Sequence, residues 1–354
     1  MASLKSKVLL LGKIDFAHDD WKSLSNTAEI IQAKSKNRKD FIEECKTGHL
    51  NNVVAAYRTF TSIDITGMWD EELVNALPKS LRFCAHMGAG YDQIDISACS
   101  ARDPPLRISN VPTAVDDATA DTAVFLILGA LRGFNVSMIA LRDGKWRGQP
   151  MPPLGHDPEG KVLGVLGMGG IGRNMKKKCE AFGMTTIYHN RKPLSDELAG
   201  GAKYVSFDEL LAQSDVLSLN LPLNKNTRHI ISTAEFGKMK KGVVIVNTAR
   251  GAVMDEDALV KALESGQVLS VGLDVFENEP KVHPGLIDNP HVMLLPHMGT
   301  YTIETMIAME QWCIANVRMA IETGKLKSPV PEQAELQSKS ATAAGELVSL
   351  GIIA

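Results

Sequence analysis

The sequence has few cysteines and none of the paired spacings that cysteine chemistry requires. Its five cysteines lie far apart and no CxxC pair occurs, which argues against a zinc site or a redox-active dithiol. An odd number of dispersed cysteines in a chain of 354 residues also suits a reducing compartment. We therefore expect no metal site, and we expect the protein to be cytoplasmic.

Strong net charge and long apolar segments are also missing. The formal net charge is −3, which gives no electrostatic reason to expect nucleic acid or an anionic membrane as a partner. The longest apolar window, TAVFLILGALRGF, is interrupted by Arg132 and preceded by aspartates, which favours a buried helix over a membrane span. Near the N-terminus, the apolar run from Val8 to Gly12 is too short for a signal peptide.

Short apolar runs alternate with helical patterns along a chain that is long enough for two domains. Continuous apolar runs are typical of parallel strands buried on both faces, and their alternation with helices favours a doubly wound α/β fold. A proline-rich stretch at 102–114 fits a domain crossing, and another at 146–161 fits a loop or arm. One amphipathic helix is expected at 255–265. The predicted strands are Val8–Leu11, Val53–Tyr57, Leu81–Ala85, Val162–Leu166, Thr185–Tyr188, Val216–Leu219, Val243–Val246, Leu269–Leu273 and Val292–Leu295.

The segment KVLGVLGMGGIGRNM places a glycine-rich loop between an apolar strand and a helix. Gly167, Gly169 and Gly172 have the spacing GxGxxG, which permits a tight turn, close approach of a pyrophosphate and close helix–strand packing. The following helix N-terminus would offer N–H groups and a partial positive charge to phosphates. Because a second strand, TTIYHN, follows in the right order, the segment predicts dinucleotide binding rather than a structural turn.

The end of this second strand lacks the acidic residue that would bind the adenosine ribose 2′-hydroxyl of NAD. Asn190 can still hydrogen-bond a hydroxyl, and Arg191 with Lys192 could accept a 2′-phosphate. Alternatively, both cations are only solvated. The sequence thus leaves the choice between NAD and NADP open.

Three consecutive strands of the second half end in residues suited to acid–base chemistry. VVIVNTARG places Arg250 after a buried strand, where a guanidinium can bind a carboxylate through two parallel hydrogen bonds. VGLDVFENEP ends the next strand with acidic residues, and LLPHMGT ends the third at His297. Since parallel strands place their carboxyl ends at one sheet edge, we expect these side chains to converge. A histidine there suits proton exchange near neutral pH, whereas His291 is expected to be a strand-start surface residue.

These motifs resemble those of the D-2-hydroxyacid dehydrogenase family. The matching pieces extend over residues 86–300 and are MGAGYDQIDI, GVLGMGGIGRNM, LNLPLNKNTRHII, VNTARGAVMDEDALVKALESGQVLSVGLDVFENEP and LLPHMGT. PHMGTYTIET is similar in particular to the fungal glyoxylate/hydroxypyruvate reductase and D-mandelate dehydrogenase-like branch. The resemblance implies reversible, NAD- or NADP-dependent hydride transfer between a 2-hydroxy acid and a 2-oxo acid. Whether that acid is small, like glyoxylate or hydroxypyruvate, or aromatic, like mandelate, stays open.

The resemblance implies a catalytic triad of Arg250, Glu279 and His297. His297 would protonate the carbonyl oxygen, Glu279 would orient His297, and Arg250 would bind the 2-oxo acid and polarise its carbonyl. The backbone of Ala89 and Gly90 would receive the substrate carboxylate, beside the contacts of Arg250 and His297. The pocket wall is expected to include Thr59, Phe60, Trp146 and Tyr301.

The resemblance also implies two similar doubly wound α/β domains with a cleft between them. A flavodoxin-like substrate domain would comprise residues 1–112 and 302–354, and a Rossmann-type nucleotide domain would comprise 113–301. Family members are usually homodimers, in which Trp146 either reaches the neighbouring active site or only packs the dimer. The expected cofactor contacts are Thr119, Gly167, Gly169, Gly170, Ile171, Gly172, Asn190, Arg191, Leu221, Pro222, Thr227, Thr248, Ala249, Asp274 and Gly299.

Two other functions compete with this interpretation. A corepressor-like protein that senses NAD has the same fold and need not turn over a substrate, so a turnover assay with cofactor would discriminate. A formate or phosphite dehydrogenase is disfavoured. Formate has no carbonyl to protonate, and the formate enzymes typically carry Gln where Glu279 stands.

Overall fold

The computed structural model describes residues 5–148 and 150–336, so the predicted substrate domain beyond residue 336 lies outside the described residues. The chain divides into two compact units, Met1–Ala114 with Thr302–Ala354, and Val115–Tyr301. The first division falls at the end of the proline-rich stretch 102–114, two residues beyond the predicted boundary after residue 112. The second division falls between residues 301 and 302.

The first unit contains a parallel sheet of five strands in the order β2-β1-β3-β4-β5, which is the flavodoxin-like arrangement. Its strands are β1 (Ser6–Leu11), β2 (Ala28–Gln32), β3 (Val53–Thr59), β4 (Phe83–Met87) and β5 (Arg107–Ser109). Its helices are α1 (His18–Thr27), α2 (Arg38–Lys46), α3 (Ile63–Thr66), α4 (Glu71–Ala76), α5 (Ile96–Ala101) and α14 (Ile303–Thr323).

The two sequence segments of the first unit are joined by a buried carboxylate. Glu310 on α14 accepts hydrogen bonds from the backbone amides of Asp15, Phe16 and Ala17 at 2.7–2.9 Å. These amides lie just before α1, where they have no partner within a helix. The contact therefore ties the C-terminal helix to the chain that follows β1.

The second unit contains a parallel sheet of seven strands in the order β12-β11-β10-β9-β6-β7-β8. The strand order reverses at β6, as in Rossmann-type folds, and such a reversal is where dinucleotides bind. The strands are β6 (Val162–Leu166), β7 (Thr185–His189), β8 (Lys203–Tyr204), β9 (Val216–Leu219), β10 (Val243–Asn247), β11 (Val268–Leu273) and β12 (Val292–Leu294). The helices are α6 (Asp116–Arg132), α7 (Phe134–Arg142), α8 (Gly170–Glu180), α9 (Asp196–Ala199), α10 (Phe207–Gln213), α11 (Thr233–Phe236), α12 (Glu256–Glu264) and α13 (Pro284–Ile287). The predicted fold class is confirmed.

All nine predicted strands are present, with ends shifted by at most two residues. The predicted helix at 255–265 is α12, which Asp255 caps by accepting a hydrogen bond from the Ala258 amide. Three strands were missed, namely β2, β5 and β8, and each lies at a sheet edge. β5 and β8 have only three and two residues, and β2 is partly exposed with a polar residue near each end, so none of the three has a long continuous apolar run.

The longest apolar window forms the end of α6 and the start of α7, and α6 packs against β10 and β11. Within residues 5–148 and 150–336, no single helix is long and apolar enough to cross a membrane. Only α6 and α7 taken together have the required length and composition, and they are bent by 79°.

Candidate active site

Strands β10, β11 and β12 lie side by side in parallel register, with Asn247 opposite Leu273 and Leu273 opposite Leu294. The residues that follow these strands therefore share the carboxyl edge of one sheet. Arg250, Asp274 and His297 each lie within three residues of a strand end. This edge is where open parallel sheets bind their ligands.

The turn after β10 is fixed by the buried side chain of Asn247. Its Oδ1 accepts the Ala249 amide at 3.0 Å, and its Nδ2 donates to the Arg250 carbonyl at 2.8 Å. The Arg250 guanidinium donates from Nη1 to the Ala249 carbonyl at 2.7 Å. A Cβ at Gly251 would lie 1.9 Å from the Phe276 carbonyl carbon, so only glycine lets the turn approach the chain after β11.

The turn that carries His297 is held by Asp274, which is 1% exposed. The Asp274 carbonyl accepts the His297 amide at 2.7 Å, and its carboxylate accepts the amides of Met298 and Gly299 at 2.6 and 2.8 Å. Burial raises the pKa of the Asp274 carboxyl, and these two hydrogen bonds oppose the rise. His297 itself has a φ of +58°, a left-handed conformation that non-glycine residues adopt where the surroundings enforce it.

His297 and Glu279 form a hydrogen-bonded pair. The distance between His297 Nδ1 and Glu279 Oε2 is 2.9 Å, and the two side chains are 35% and 31% exposed. The second carboxylate oxygen of Glu279 accepts the Phe276 amide at 3.0 Å. Partial burial pushes the pKa of Glu279 up, but these hydrogen bonds and the charges of His297 and Arg250 lower it overall. Glu279 is thus a carboxylate near neutral pH, and Arg250 lies close enough to act on it.

The three side chains singled out from the sequence therefore come together within the second unit, and His291 does not join them. His291 is half-buried at the start of β12, where its amide donates to the Asn289 side chain at 2.9 Å.

The glycine loop has the backbone that its sequence pattern requires. Gly167 has a φ of +95°, and a Cβ there would lie 2.8 Å from the Asn220 carbonyl oxygen. A Cβ at Gly172 would lie 3.0 Å from both the Gly167 carbonyl oxygen and the Val165 side chain, so this glycine permits α8 to pack on β6. A Cβ added to Gly169 would meet no heavy atom within 4 Å. Open space thus adjoins the N-terminus of α8.

The end of β7 presents an amide and exposed cations. The Asn190 Oδ1 accepts the Met168 amide at 2.7 Å, which links β7 to the glycine loop. Arg191 and Lys192, next in the chain, are exposed.

Other predicted cofactor residues form small structured groups. The Thr227 hydroxyl donates to the Pro222 carbonyl at 2.6 Å and so closes the loop that follows Leu221. A Cβ at Gly299 would meet Asp274 Oδ2 at 3.1 Å and the Thr119 side chain at 3.3 Å, so these three residues lie together.

The residues of this edge fit a dinucleotide. The Thr248 hydroxyl is buried and has no hydrogen-bond partner within the described part of the chain, although Thr248 lies directly after β10. The N–H groups of a helix N-terminus beside an open glycine loop suit a pyrophosphate, and the Thr248 hydroxyl is a further donor at the same edge of this sheet.

The first unit contains the loop that joins β4 to α5. All three carbonyls of Gly88, Ala89 and Gly90 are engaged, by the Val111 amide at 2.9 Å, the Asn110 Nδ2 at 2.8 Å and the His86 Nε2 at 3.0 Å. The sequence predicted Ala89 and Gly90 as contacts of the substrate carboxylate, but it did not predict the residues that hold them. A histidine inside the apolar run FCAHM was the available signal.

Asp116, at the start of α6, was also missed. A Cβ at Gly170 would lie 1.9 Å from Asp116 Oδ2, so this carboxyl fills the space beside the N-terminus of α8. Burial raises the pKa of Asp116 to about 6, and the nearby Arg173 opposes the rise. Its sequence context, an aspartate in the first turn of a helix, suggests only a favourable helix-dipole contact.

Sequence and structure comparisons identify the family that this geometry belongs to. The NAD-binding domain of the D-isomer specific 2-hydroxyacid dehydrogenases matches residues 124–299. The chain is 56% identical over 325 residues to 4-methyl-2-oxopentanoate reductase A of Aspergillus oryzae, covering 92% of this chain and 98% of that one. The chain belongs to the D-2-hydroxyacid dehydrogenase family. It is an oxidoreductase that interconverts 2-hydroxy acids and 2-oxo acids with NAD or NADP, as the sequence predicted.

Solved structures place the dehydrogenase within the family. A glyoxylate reductase from Paecilomyes thermophila superimposes with a TM-score of 0.90 at 55% identity, over 93% of this chain and 99% of the other. The holo D-mandelate dehydrogenase of Rhodotorula graminis superimposes with a TM-score of 0.88 at 33% identity, over 92% and 98%. The predicted likeness to the glyoxylate reductase and D-mandelate dehydrogenase-like branch is confirmed, and the competing corepressor and formate dehydrogenase interpretations are not supported.

Proposed function

We propose that this dehydrogenase is an NADP-preferring reductase of aliphatic 2-oxo acids in which His297 is the acid–base residue. The observation that carries the proposal is the 2.9 Å hydrogen bond between His297 Nδ1 and Glu279, at the strand edge that also carries Arg250. When bound, the reduced nicotinamide supplies the hydride. The residues of the chain bind the substrate, orient it and deliver the proton.

His297 delivers the proton from Nε2. The Glu279 carboxylate can only accept, so the imidazole donates from Nδ1 and exchanges its other proton with the substrate. The negative charge of Glu279 favours the imidazolium form that reduction requires. The enforced left-handed backbone of His297 supports a functional role, because such conformations concentrate at active sites.

Arg250 binds the 2-oxo acid through its planar guanidinium and polarises the carbonyl. Its Nη1 contact with the Ala249 carbonyl restrains the side chain. The backbone amides of Ala89 and Gly90 bind the substrate carboxylate, as successive N–H groups do in anion-binding loops.

Gly170 and Ile171 of the glycine loop would hold the pyrophosphate of the cofactor. Thr119, Asp274, Gly299 and Thr248 would hold the nicotinamide half, and the cofactor would also contact Leu221, Pro222, Thr227 and Ala249. NADP is preferred because the end of β7 has no acidic residue, and Asn190 there is followed by the exposed cations Arg191 and Lys192. Two cations and an amide donor suit a 2′-phosphate.

Asn190→Asp tests the cofactor proposal. The new carboxylate can still accept the Met168 amide, so the loop is kept while a negative charge faces the ribose. We expect kcat/KM for NADPH relative to NADH to fall by at least about tenfold, since one repelled charge contact is worth about 1.4 kcal/mol or more. An unchanged ratio would place the ribose elsewhere.

The substrate class is proposed from the more similar relatives. The 4-methyl-2-oxopentanoate reductase and the glyoxylate reductase are 56% and 55% identical to this chain, whereas the D-mandelate dehydrogenase is 33% identical. A panel of glyoxylate, hydroxypyruvate, 4-methyl-2-oxopentanoate and phenylglyoxylate with each reduced cofactor tests this choice. A higher kcat/KM for phenylglyoxylate than for every aliphatic acid would contradict it.

We also propose that the enzyme is a homodimer. Large apolar side chains are exposed on α6, α7 and the following arm, and such a patch marks a protein interface. They are Phe125, Phe134, Met138, Ile139, Leu141, Trp146, Met151 and Leu154. Sedimentation should show a dimer that Leu141→Glu weakens, while Ile287→Glu, at a residue that is equally 56% exposed, leaves it intact. The cytoplasmic location stays a prediction.

A further inference from the structure

The loop at 88–91 is held so that its amides, and not its carbonyls, are presented. In a planar trans peptide, a carbonyl and the N–H of the next residue point in opposite directions. The carbonyls of Gly88, Ala89 and Gly90 are engaged by Val111, Asn110 and His86, so the N–H groups of Ala89, Gly90 and Tyr91 point the other way. Successive N–H groups in a loop can bind an anion.

The protonation of His86 is decided by Arg58. The Arg58 Nη1 lies 2.9 Å from His86 Nδ1, and a guanidinium has only donors. His86 therefore accepts at Nδ1 and carries its proton at Nε2, which donates to the Gly90 carbonyl. Arg58 is itself oriented by Gln93 Oε1 at 2.8 Å and by the Trp69 ring at 5.4 Å.

Burying Arg58 and His86 costs free energy. Arg58 and His86 are 0% and 1% exposed, and both hydrogen-bonded partners of the Arg58 guanidinium are neutral. Burial lowers the pKa of Arg58 to about 10, so it remains a cation at neutral pH. Stability alone does not account for such a cation, because apolar residues of similar volume often serve a core equally well.

The close approach of His86 to the loop is built into the sequence. A Cβ at Gly88 would lie 2.8 Å from His86 Nε2, so a larger residue there would displace the imidazole. Arg58 and His86 lie on the neighbouring strands β3 and β4, directly opposite each other in register. The pair therefore reaches the loop from inside the sheet, and no residue of the loop needs to be charged.

We propose that Arg58 and His86 are positioning residues for the substrate carboxylate: Arg58 fixes the His86 tautomer, and His86 holds the Gly90 carbonyl so that the loop amides face the anion. This inference rests on the proposed role of Ala89 and Gly90. Neither residue touches the substrate, so their loss weakens substrate binding more than it slows the chemical step.

The test compares His86→Leu, which fills the volume without hydrogen bonds, with His86→Gln, whose amide can accept from Arg58 and donate to Gly90. In His86→Leu, we expect KM for glyoxylate and the inhibition constant of oxalate to rise about tenfold, with kcat within about threefold of wild type. The dissociation constant of NADPH should not change. His86→Gln should recover most of the lost affinity.

Equal losses in kcat, glyoxylate KM and NADPH affinity, with His86→Gln no better than His86→Leu, would overturn the inference in favour of a packing role. If His86→Leu does not fold, His86→Asn takes its place. Its shorter amide cannot span Arg58 and Gly90, so KM should be higher in His86→Asn than in His86→Gln.

Asn110→Leu separates this inference from the proposal beneath it, because Asn110 holds the Ala89 carbonyl independently of His86. A raised glyoxylate KM in Asn110→Leu, with no change in His86→Leu, would overturn the role of His86 alone. An unchanged KM in both folded variants would overturn the binding of the carboxylate by Ala89 and Gly90.

Discussion

The two units organise the carboxyl edges of their sheets in opposite ways. In the first unit, the side chains of His86 and Asn110 hold backbone carbonyls, Arg58 holds His86, and the backbone amides of the loop are what remains presented. In the second unit, the Asp274 carboxylate holds backbone amides, and the side chain of His297 is what the turn presents.

This difference explains why the functional residues of the second unit are easier to recognise in the sequence than those of the first unit. A site built from side chains, such as the proposed set of Arg250, Glu279 and His297, needs particular residue types, and these are visible as a motif. A site built from backbone amides needs only small residues in its loop. The polar side chains that hold the loop are buried, so in the sequence they resemble residues of the hydrophobic core. Changes in the second unit should therefore act on the chemical step, and changes beneath the loop of the first unit should act on binding.

Substitution of His297 in the second unit should have the largest effect on the chemical step. General acid–base contributions are about 10²- to 10⁴-fold, so His297→Asn should lower kcat by at least about 10²-fold while NADPH binding is kept. In the wild type, reduction should slow and oxidation should quicken as pH rises, because reduction needs the imidazolium and oxidation needs the neutral imidazole. His291→Ala is the control and should be near normal. A lowered kcat in His291→Ala, together with a near-normal kcat in His297→Asn, would overturn the assignment of His297 as the acid–base residue.

Arg250 should give the next largest effect, and it should act on both binding and chemistry. Arg250→Ala should raise KM for the 2-oxo acid and lower kcat together, each by about tenfold or more, because it removes charge-assisted contacts to carboxylate and carbonyl. Arg250→Lys should recover only part, since lysine lacks the planar fork. Steady-state kinetics check this, and an unchanged KM in Arg250→Ala would contradict substrate contact.

Glu279→Gln should give a smaller and more specific effect. Glu279 has a lowered pKa, so it is charged throughout the neutral range and favours protonated His297. Removing that charge should shift the pH profile of reduction to lower pH without abolishing turnover. The profile of log kcat against pH measures this shift. A profile that keeps its position would mean that Glu279 does not act through charge.

The smallest effect is expected from Asp116, and it concerns stability. Its folded pKa of about 6 exceeds the ordinary value, so the folded state binds more protons between about pH 4 and 6. Stability is therefore fully present below that window and is lost as pH rises through about 6. Asp116→Asn should stabilise the protein by about 1 kcal/mol more at pH 7.5 than at pH 5, after allowing for solvent screening. Urea unfolding at both values tests this, and an equal effect would contradict it.

Much of the fold could be predicted because its signals are local. Continuous apolar runs mark β6, β9 and β10, which are buried on both faces, and glycine spacing marks the turn before α8. The edge strands β2, β5 and β8 were not predicted, because a strand with only one neighbouring strand can be short or polar.

The sequence by itself indicated the doubly wound fold and the dinucleotide loop, because each depends on residue type at fixed spacing along the chain, and its resemblance to a known family singled out Arg250, Glu279 and His297. Only the tertiary structure decided what holds those groups. Asp274 beneath the His297 turn, Asp116 beside Gly170, and Arg58 with His86 beneath the loop at 88–91 act across different strands or helices. Their roles arise from hydrogen bonds between residues distant in sequence, which no local pattern contains.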